Sequence, residues 1–85
     1  MTDWSSRLRD AILELARKRA PTGSLCPSDA ARVVGGDDWR KLMAETRSVA
    51  VELAKSGQVE ITQRGERLDP EVPLRGPIRI RLPPH

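Results

Sequence analysis

The sequence predicts an α+β fold of the winged helix-turn-helix class, in which three helices are followed by a two-stranded antiparallel β-hairpin. Three observations predict it. The first half of the chain has apolar residues at helical spacing, two glycines at 35–36 interrupt that pattern, and two segments with alternating apolar residues follow. Because 85 residues provide room for one core, we expect residues 1–85 to form a single domain.

The first helix is predicted from Asp3 to Arg19, with Thr2 or Asp3 as its N-cap. Pro21 and the glycine after it end the helix, and its last turn is basic, as suits the helix dipole. The buried face is expected to consist of Trp4, Leu8, Ala11, Ile12, Leu15 and Ala16. Trp4 and Trp39 are the only aromatic residues, and we expect both to anchor the core.

The second helix is predicted from Pro27 to Val34, because proline suits the first helical position. Gly35 and Gly36 end it by permitting left-handed backbone angles. The preceding segment, Gly23–Cys26, is short and partly apolar, which is compatible with a short third strand.

The third helix is predicted to begin with Asp37 or Asp38 as its N-cap and to end near Ser56. Its buried stripe is expected to consist of Trp39, Leu42, Met43, Thr46, Val49, Ala50 and Leu53.

Two half-buried strands are predicted at Gln58–Gln63 and Pro77–Leu82, where apolar and polar residues alternate. The intervening segment Arg64–Gly76 is predicted to be a long loop, the wing, without regular structure, because glycine and proline interrupt it. On the outer face of the hairpin, beside Glu60 and Thr62, we expect cross-strand pairing of Glu60 with Arg79 and Arg81.

The chain resembles, over nearly its whole length, an uncharacterised domain-of-unknown-function family of short bacterial proteins. The segments that carry the resemblance are LCPSDAARVVG, DDWRKLM, ITQRGERLDP and GPIRIRL. The resemblance implies a winged-helix-like fold and no assigned activity. It transfers no catalytic or binding residue to this chain.

Composition excludes several classes of function. The chain has one cysteine, Cys26, and one histidine, His85, so the sequence predicts no disulfide, no metal site and no hydrolytic triad. We therefore expect no enzyme and no cofactor, and we expect Cys26 to be a small buried residue. The sequence contains neither a leader-like apolar run nor a membrane-spanning segment, which predicts a soluble cytoplasmic protein.

The positive charge gives the functional hypothesis. The net charge of +3 and the pI near 9.8 favour an anionic partner, although an arginine-rich composition is also typical of GC-rich bacterial genomes. In winged helix domains that bind DNA, the third helix enters the major groove and the wing contacts the backbone. The sequence thus predicts duplex DNA binding by the third helix and the wing, at Arg40, Lys41, Arg47, Arg64, Arg67 and Arg75.

Each of these residues also has a simpler interpretation. Arg40 and Arg47, two turns apart on one helical face, are compatible with an ordinary solvated surface, and acidic residues in the wing offset its arginines. The carboxylates of Asp37 and Asp38 disfavour a phosphate at the start of the third helix. The alternative function is a protein–protein interaction module that binds a partner or forms a homodimer, which Val51 on an otherwise polar face favours.

Overall fold

The structure is a computed structural model that describes residues 3–83. Helices occupy the first two-thirds of the chain, and strands occupy the last third. The α-helices are α1 (Trp4–Arg19), α2 (Pro27–Gly35) and α3 (Met43–Lys55), with a 3₁₀ helix at Gly36–Leu42 between α2 and α3. The strands β1 (Glu60–Gln63), β2 (Glu66–Arg67) and β3 (Arg79–Arg81) form an antiparallel sheet in the order β2-β1-β3. The predicted α+β class is confirmed.

Helix α1 begins as predicted, with Asp3 as its N-cap. The Asp3 carboxylate accepts hydrogen bonds from the backbone N–H groups of Ser5 (3.0 Å) and Ser6 (3.3 Å). The alternative cap, Thr2, lies outside the described residues. The expected core position of Trp4 is wrong: its side chain is 40% exposed, and the Arg7 guanidinium lies 4.9 Å from the ring centre.

The segment after α2 differs most from the prediction. Gly36 has a φ of +57° and ends α2 as expected, but the chain continues as a 3₁₀ helix and becomes α-helical only at Met43. Neither the 3₁₀ helix nor α3 has a side-chain cap at its first turn, so the predicted N-cap at Asp37 or Asp38 is wrong. Trp39 lies half-buried in the 3₁₀ helix instead of in the core, which corrects the second tryptophan prediction.

The core lies between the helices and the sheet, where α1 contacts β3 and α3 contacts β1. Aliphatic side chains and alanines fill it, as the composition predicts. Its buried members are Leu8, Ala11, Ile12, Ala16, Leu25, Ala30, Val49, Ala50, Leu53, Val59, Ile61, Ile78 and Ile80.

Strands β1 and β3 pair in antiparallel register, with Ile61 opposite Ile80, which confirms the predicted pairing. The first residues of the predicted loop are nevertheless regular. Arg64 (φ +54°) and Gly65 (φ +83°) form a two-residue turn between β1 and β2, and such positive angles are typical of the turns that match the twist of a hairpin. The sheet therefore has three strands, and the expectation of an irregular segment from Arg64 onward is wrong for its first four residues.

The predicted short strand at Gly23–Cys26 is reduced to a single β-bridge. The N–H of Leu25 donates to the carbonyl of Ile80, and the N–H of Ile80 donates to the carbonyl of Leu25, both at 2.8 Å. Leu25 thereby covers the edge of β3 and connects the α1–α2 segment to the sheet.

Asp29 stabilises the start of α2. Its Oδ2 accepts hydrogen bonds from the Cys26 N–H at 3.0 Å and from Arg19 Nη1 at 2.8 Å. The hydrogen bond from Arg19 is the main reason that the pKa of the Asp29 carboxyl lies below its ordinary value. Stability from this carboxylate is therefore present above the unfolded-state pKa and is lost as the pH falls through the lower folded-state pKa.

We expect Asp29→Asn to lower the free energy of unfolding by about 1 kcal/mol at pH 7, since it weakens the cap at the helix start. The difference from wild type at pH 7 should shrink at a pH below the lowered folded-state pKa of Asp29, where the carboxyl is protonated in both the folded and the unfolded chain. Urea denaturation at both pH values measures it, with Asp10→Asn on the exposed face of α1 as the control. A difference that is unchanged in acid would contradict the assigned role of the charge.

Candidate nucleic-acid interface

A cleft of about 600 Å³ lies at one end of the sheet and brings together arginines from three segments of the chain. We call it the arginine cleft, and its lining residues are Gln63, Arg64, Arg75, Gly76, Pro77, Ile78 and Arg79. The lining contains no acidic residue. Within residues 3–83, Arg64 and Arg75 form no ion pair. The cleft is thus a concentrated positive region in a chain whose net charge is only +3.

Two side chains fix the backbone beside Arg75. The side-chain amide nitrogen of Gln63 donates to the Arg75 carbonyl. It also donates to the Pro77 carbonyl, at a distance of 3.1 Å. Arg47 Nη2 donates to the carbonyl of Gly76 at 3.2 Å. Gly76 has a φ of +75°, a conformation that favours glycine. The wing therefore returns to the sheet along a defined path, and Arg47 is hydrogen-bonded to its last residue.

Arg79 is the one arginine of the cleft that is not among the predicted site residues. Its Nε donates to the Ser24 hydroxyl, and its Nη2 donates to the Ser24 carbonyl, both at 2.9 Å. Its Nη1 lies 3.5 Å from the Sγ of Cys26, a thiol that is half-buried instead of buried as expected. These contacts hold the Arg79 guanidinium against the segment that leads into α2, while the residue itself lines the cleft.

The predicted pairing of both strand arginines with Glu60 is correct for Arg81 only. Arg81 lies opposite Glu60, and its Nε donates to Glu60 Oε2 at 3.0 Å, whereas Arg79 lies opposite Thr62. The register, with Ile61 opposite Ile80, is what separates the two arginines, and the long segment between the strands leaves it open in the sequence.

Arg67 faces a different environment. Its Nη1 lies 3.4 Å from Glu60 Oε1, so Glu60 is held between Arg67 and Arg81. Glu60 and Thr62 were expected on a solvent-facing surface, but both are buried. The two arginines on either side of the carboxylate explain the burial of Glu60. Because Arg67 already has this partner, its charge is less available to a ligand than those of Arg64 and Arg75.

Arg40 and Lys41 are also engaged locally. The guanidinium groups of Arg40 and Arg32 lie 4.7 Å and 4.5 Å from the centre of the Trp39 ring, as in cation–π contacts. Lys41 Nζ lies 3.7 Å from Asp38 Oδ1 in an exposed ion pair. Since Arg40 is in the 3₁₀ helix and Arg47 is in α3, the expectation that they lie two turns apart on one α-helical face is wrong.

The end of the wing runs alongside α3. Besides the contact between Arg47 and Gly76, Lys55 Nζ lies 3.8 Å from Glu71 Oε2. The half-buried Leu74 lines a shallow depression on α3 together with Val51. The helix that was predicted to enter the major groove is therefore partly flanked by the wing.

Within residues 3–83, no group of three or more His, Cys, Asp or Glu side chains could hold a metal ion. His85 lies outside that range. The described helices also include none that is long and apolar enough to cross a membrane.

Comparison with known proteins gives a family but no activity. Residues 5–83 match the family DUF3253, which is described as protein of unknown function. A search of the curated proteins found no match. Because the match covers nearly the whole chain, including every helix and strand except the first residue of α1, the chain belongs to the DUF3253 family of proteins of unknown function.

Proposed function

We propose that the domain is a winged helix-turn-helix that binds the phosphate backbone of nucleic acid, with duplex DNA as the expected ligand, through the arginine cleft. The order of the elements supports the fold: a helix, a bridging residue at Leu25, further helices, and then strands joined by a long wing. In this arrangement the segment between β1 and β3 is the wing. Arg64 is at the tip of its first hairpin and Arg75 is near its end.

The single observation that carries the proposal is the convergence of Arg64, Arg75 and Arg79 in one cleft without an acidic neighbour. Arginine is the residue best suited to bidentate contact with phosphate oxygens, because its planar guanidinium presents several donors in a fixed geometry. Arg79 is already oriented by Ser24, so ordering its side chain costs less when the ligand binds.

The contacts are expected to position the backbone without reading bases. The wing flanks α3, and the exposed carboxylates of Asp37 and Asp38 lie in the 3₁₀ helix that precedes it, where they disfavour an approaching phosphate. Phosphate contacts alone give sequence-independent binding, for which dissociation constants of about 10⁻⁴ to 10⁻⁶ M at physiological salt are typical.

The proposal is tested by measuring the anisotropy of a labelled duplex as a function of salt. Three phosphate contacts predict a slope of about −2.7 for log K against log salt, which is a fall of about 40-fold between 50 and 200 mM salt. Absence of binding at ~50 mM salt, or binding that is independent of salt, would overturn the proposal.

A second candidate is protein binding by the surface around Trp39. Val33, which follows Arg32 in α2, is 64% exposed, and the guanidinium groups of Arg32 and Arg40 contact the Trp39 ring. Tryptophan and arginine are enriched among the residues that dominate protein interfaces. Self-association that is abolished by Trp39→Ala, in a chain that does not bind DNA, would favour this candidate.

A further inference from the structure

A second cavity, of about 460 Å³, lies between the β1–β2 hairpin and the rest of the wing. We call it the loop pocket, and its lining residues are Gln63, Arg67, Leu68, Asp69, Val72, Pro73, Leu74 and Arg75. Four of these eight residues are apolar. Volumes of about 300–1,000 Å³, with apolar walls and a few polar groups, are typical of sites for small molecules.

Hydrogen bonds within the chain define the walls of the loop pocket. The Leu68 N–H donates to the carbonyl of Ile61 at 2.8 Å, which continues the hairpin beyond β2. The Glu71 N–H donates to Asp69 Oδ1 at 2.9 Å, and the Val72 N–H donates to the Asp69 carbonyl at 3.1 Å. Together with the hydrogen bond from Gln63 to Arg75, these contacts define both ends of the loop. The chain's own hydrogen bonds thus fix the loop that forms the pocket, which lowers the entropic cost of binding.

The apolar wall of the loop pocket includes an exposed side chain. Val72 is 57% exposed, one of the three large apolar residues with high exposure in the described chain. Leu68 and Leu74 are half-buried, and both pack against the core. A ligand with an apolar body would cover Val72 and extend the buried surface, at about 25 cal/mol for each Å² removed from water.

The charges of the loop pocket indicate which ligands it prefers. Two arginines and one aspartate line it, which gives a net charge of +1. Arg67 is paired with Glu60, and Asp69 Oδ1 already accepts the hydrogen bond from the Glu71 N–H. Arg75 has no ion pair within residues 3–83, so it is the cation available to a ligand. The complement of this surface is an apolar group that bears one negative charge.

We propose that the loop pocket binds a small amphipathic carboxylate, with its apolar body against Leu68, Val72 and Leu74 and its carboxylate on Arg75. Arginine and carboxylate form charge-assisted hydrogen bonds, which are about twice as strong as neutral ones. A cationic ligand of the same length would instead meet the positive charge of Arg75.

Arg75 also lines the arginine cleft, so the two sites share one side chain. A carboxylate bound to Arg75 removes one of the three proposed phosphate contacts. The ligand therefore weakens DNA binding, and DNA weakens ligand binding by the same factor. This coupling rests on the proposed function, whereas ligand binding itself does not.

Octanoate is a suitable probe, and its binding is measured by amide chemical shifts of the ¹⁵N-labelled full chain in the absence of DNA. We expect saturable shifts at Gln63, Val72 and Arg75. Arg75→Gln should weaken binding roughly tenfold through the lost charged hydrogen bond. Val72→Asp should weaken it at least as much, since it places a carboxylate against the apolar chain.

Two matched variants control for nonspecific effects. Val33→Asp changes another exposed valine, and Arg17→Gln changes an exposed arginine of α1, and neither lies in the pocket. Both should bind octanoate as the wild type does. Equal binding of octylammonium, equal loss in the control variants, or shifts confined to other surfaces would overturn the proposal. Because this titration contains no DNA, its result stands even if the chain fails to bind DNA.

Discussion

Replacing Ile80 by alanine is expected to lower the free energy of unfolding by about 3 kcal/mol. The Ile80 side chain is fully buried, and the residue lies opposite Ile61 in β1 and is hydrogen-bonded to Leu25. It therefore joins the helical half of the chain to the sheet. Truncation removes the buried methyl groups and leaves a cavity, because neighbouring side chains relax only in part.

Urea denaturation followed by circular dichroism measures this change. The control is Val72→Ala, which shortens an exposed side chain and should alter stability by no more than about 0.5 kcal/mol. Small domains are stable by only about 5–15 kcal/mol, so the loss at Ile80 is a large fraction of the total. If Ile80→Ala and Val72→Ala had equal effects, the sheet would not pack on the helices as described.

The periodic parts of the fold could be predicted from the sequence. Apolar residues at spacings of three and four identify α1, and the residue before Trp4 caps it as expected. Alternation of Val59 and Ile61, and of Ile78 and Ile80, identifies the two strands that pair. These predictions succeed because burial on one face imposes the period of the backbone on the sequence.

The predictions that failed concern segments whose sequence has no such periodic pattern. Over Gly36–Leu42 the seven residues are too few to distinguish a 3₁₀ helix from the first turns of an α-helix. The tryptophans look like core residues by composition, but Trp4 is exposed and Trp39 is only half-buried. Both rings contact guanidinium groups, those of Arg7, Arg32 and Arg40. The hairpin at Arg64 and Gly65 lacks the asparagine–glycine signal that usually identifies such turns.

The candidate site could be only partly predicted. Arg64 and Arg75 were named from the sequence, and the structure places them in one cleft. The predicted pairing of Arg79 with Glu60 is wrong because the long wing leaves the register of β1 and β3 open in the sequence, and the actual register places Arg79 opposite Thr62. Which arginines are neutralised by a neighbour, as Arg67 is by Glu60, depends on contacts between distant residues and cannot be determined from composition.

The double variant Arg64→Gln/Arg75→Gln is expected to weaken duplex DNA binding by more than 100-fold at low salt. Each substitution removes a charge-assisted contact of about 1.5 kcal/mol, so that together they cost about 3 kcal/mol. The slope of log K against log salt should become shallower by about 1.8, because two phosphate contacts are lost. Glutamine retains most of the side-chain length, and both positions are exposed, so the fold should be unaffected.

The matched control is Arg9→Gln/Arg17→Gln, which alters two exposed arginines of α1 and lowers the net charge by the same amount, from +3 to +1. Measuring the dissociation constants of both double variants side by side is the most direct test of the arginine cleft. We expect loss of binding in the Arg64/Arg75 variant and a change of less than about threefold in the control, since distant exposed charges are largely screened by salt. Equal losses in the two variants would show that overall charge, and not the cleft, attracts the nucleic acid.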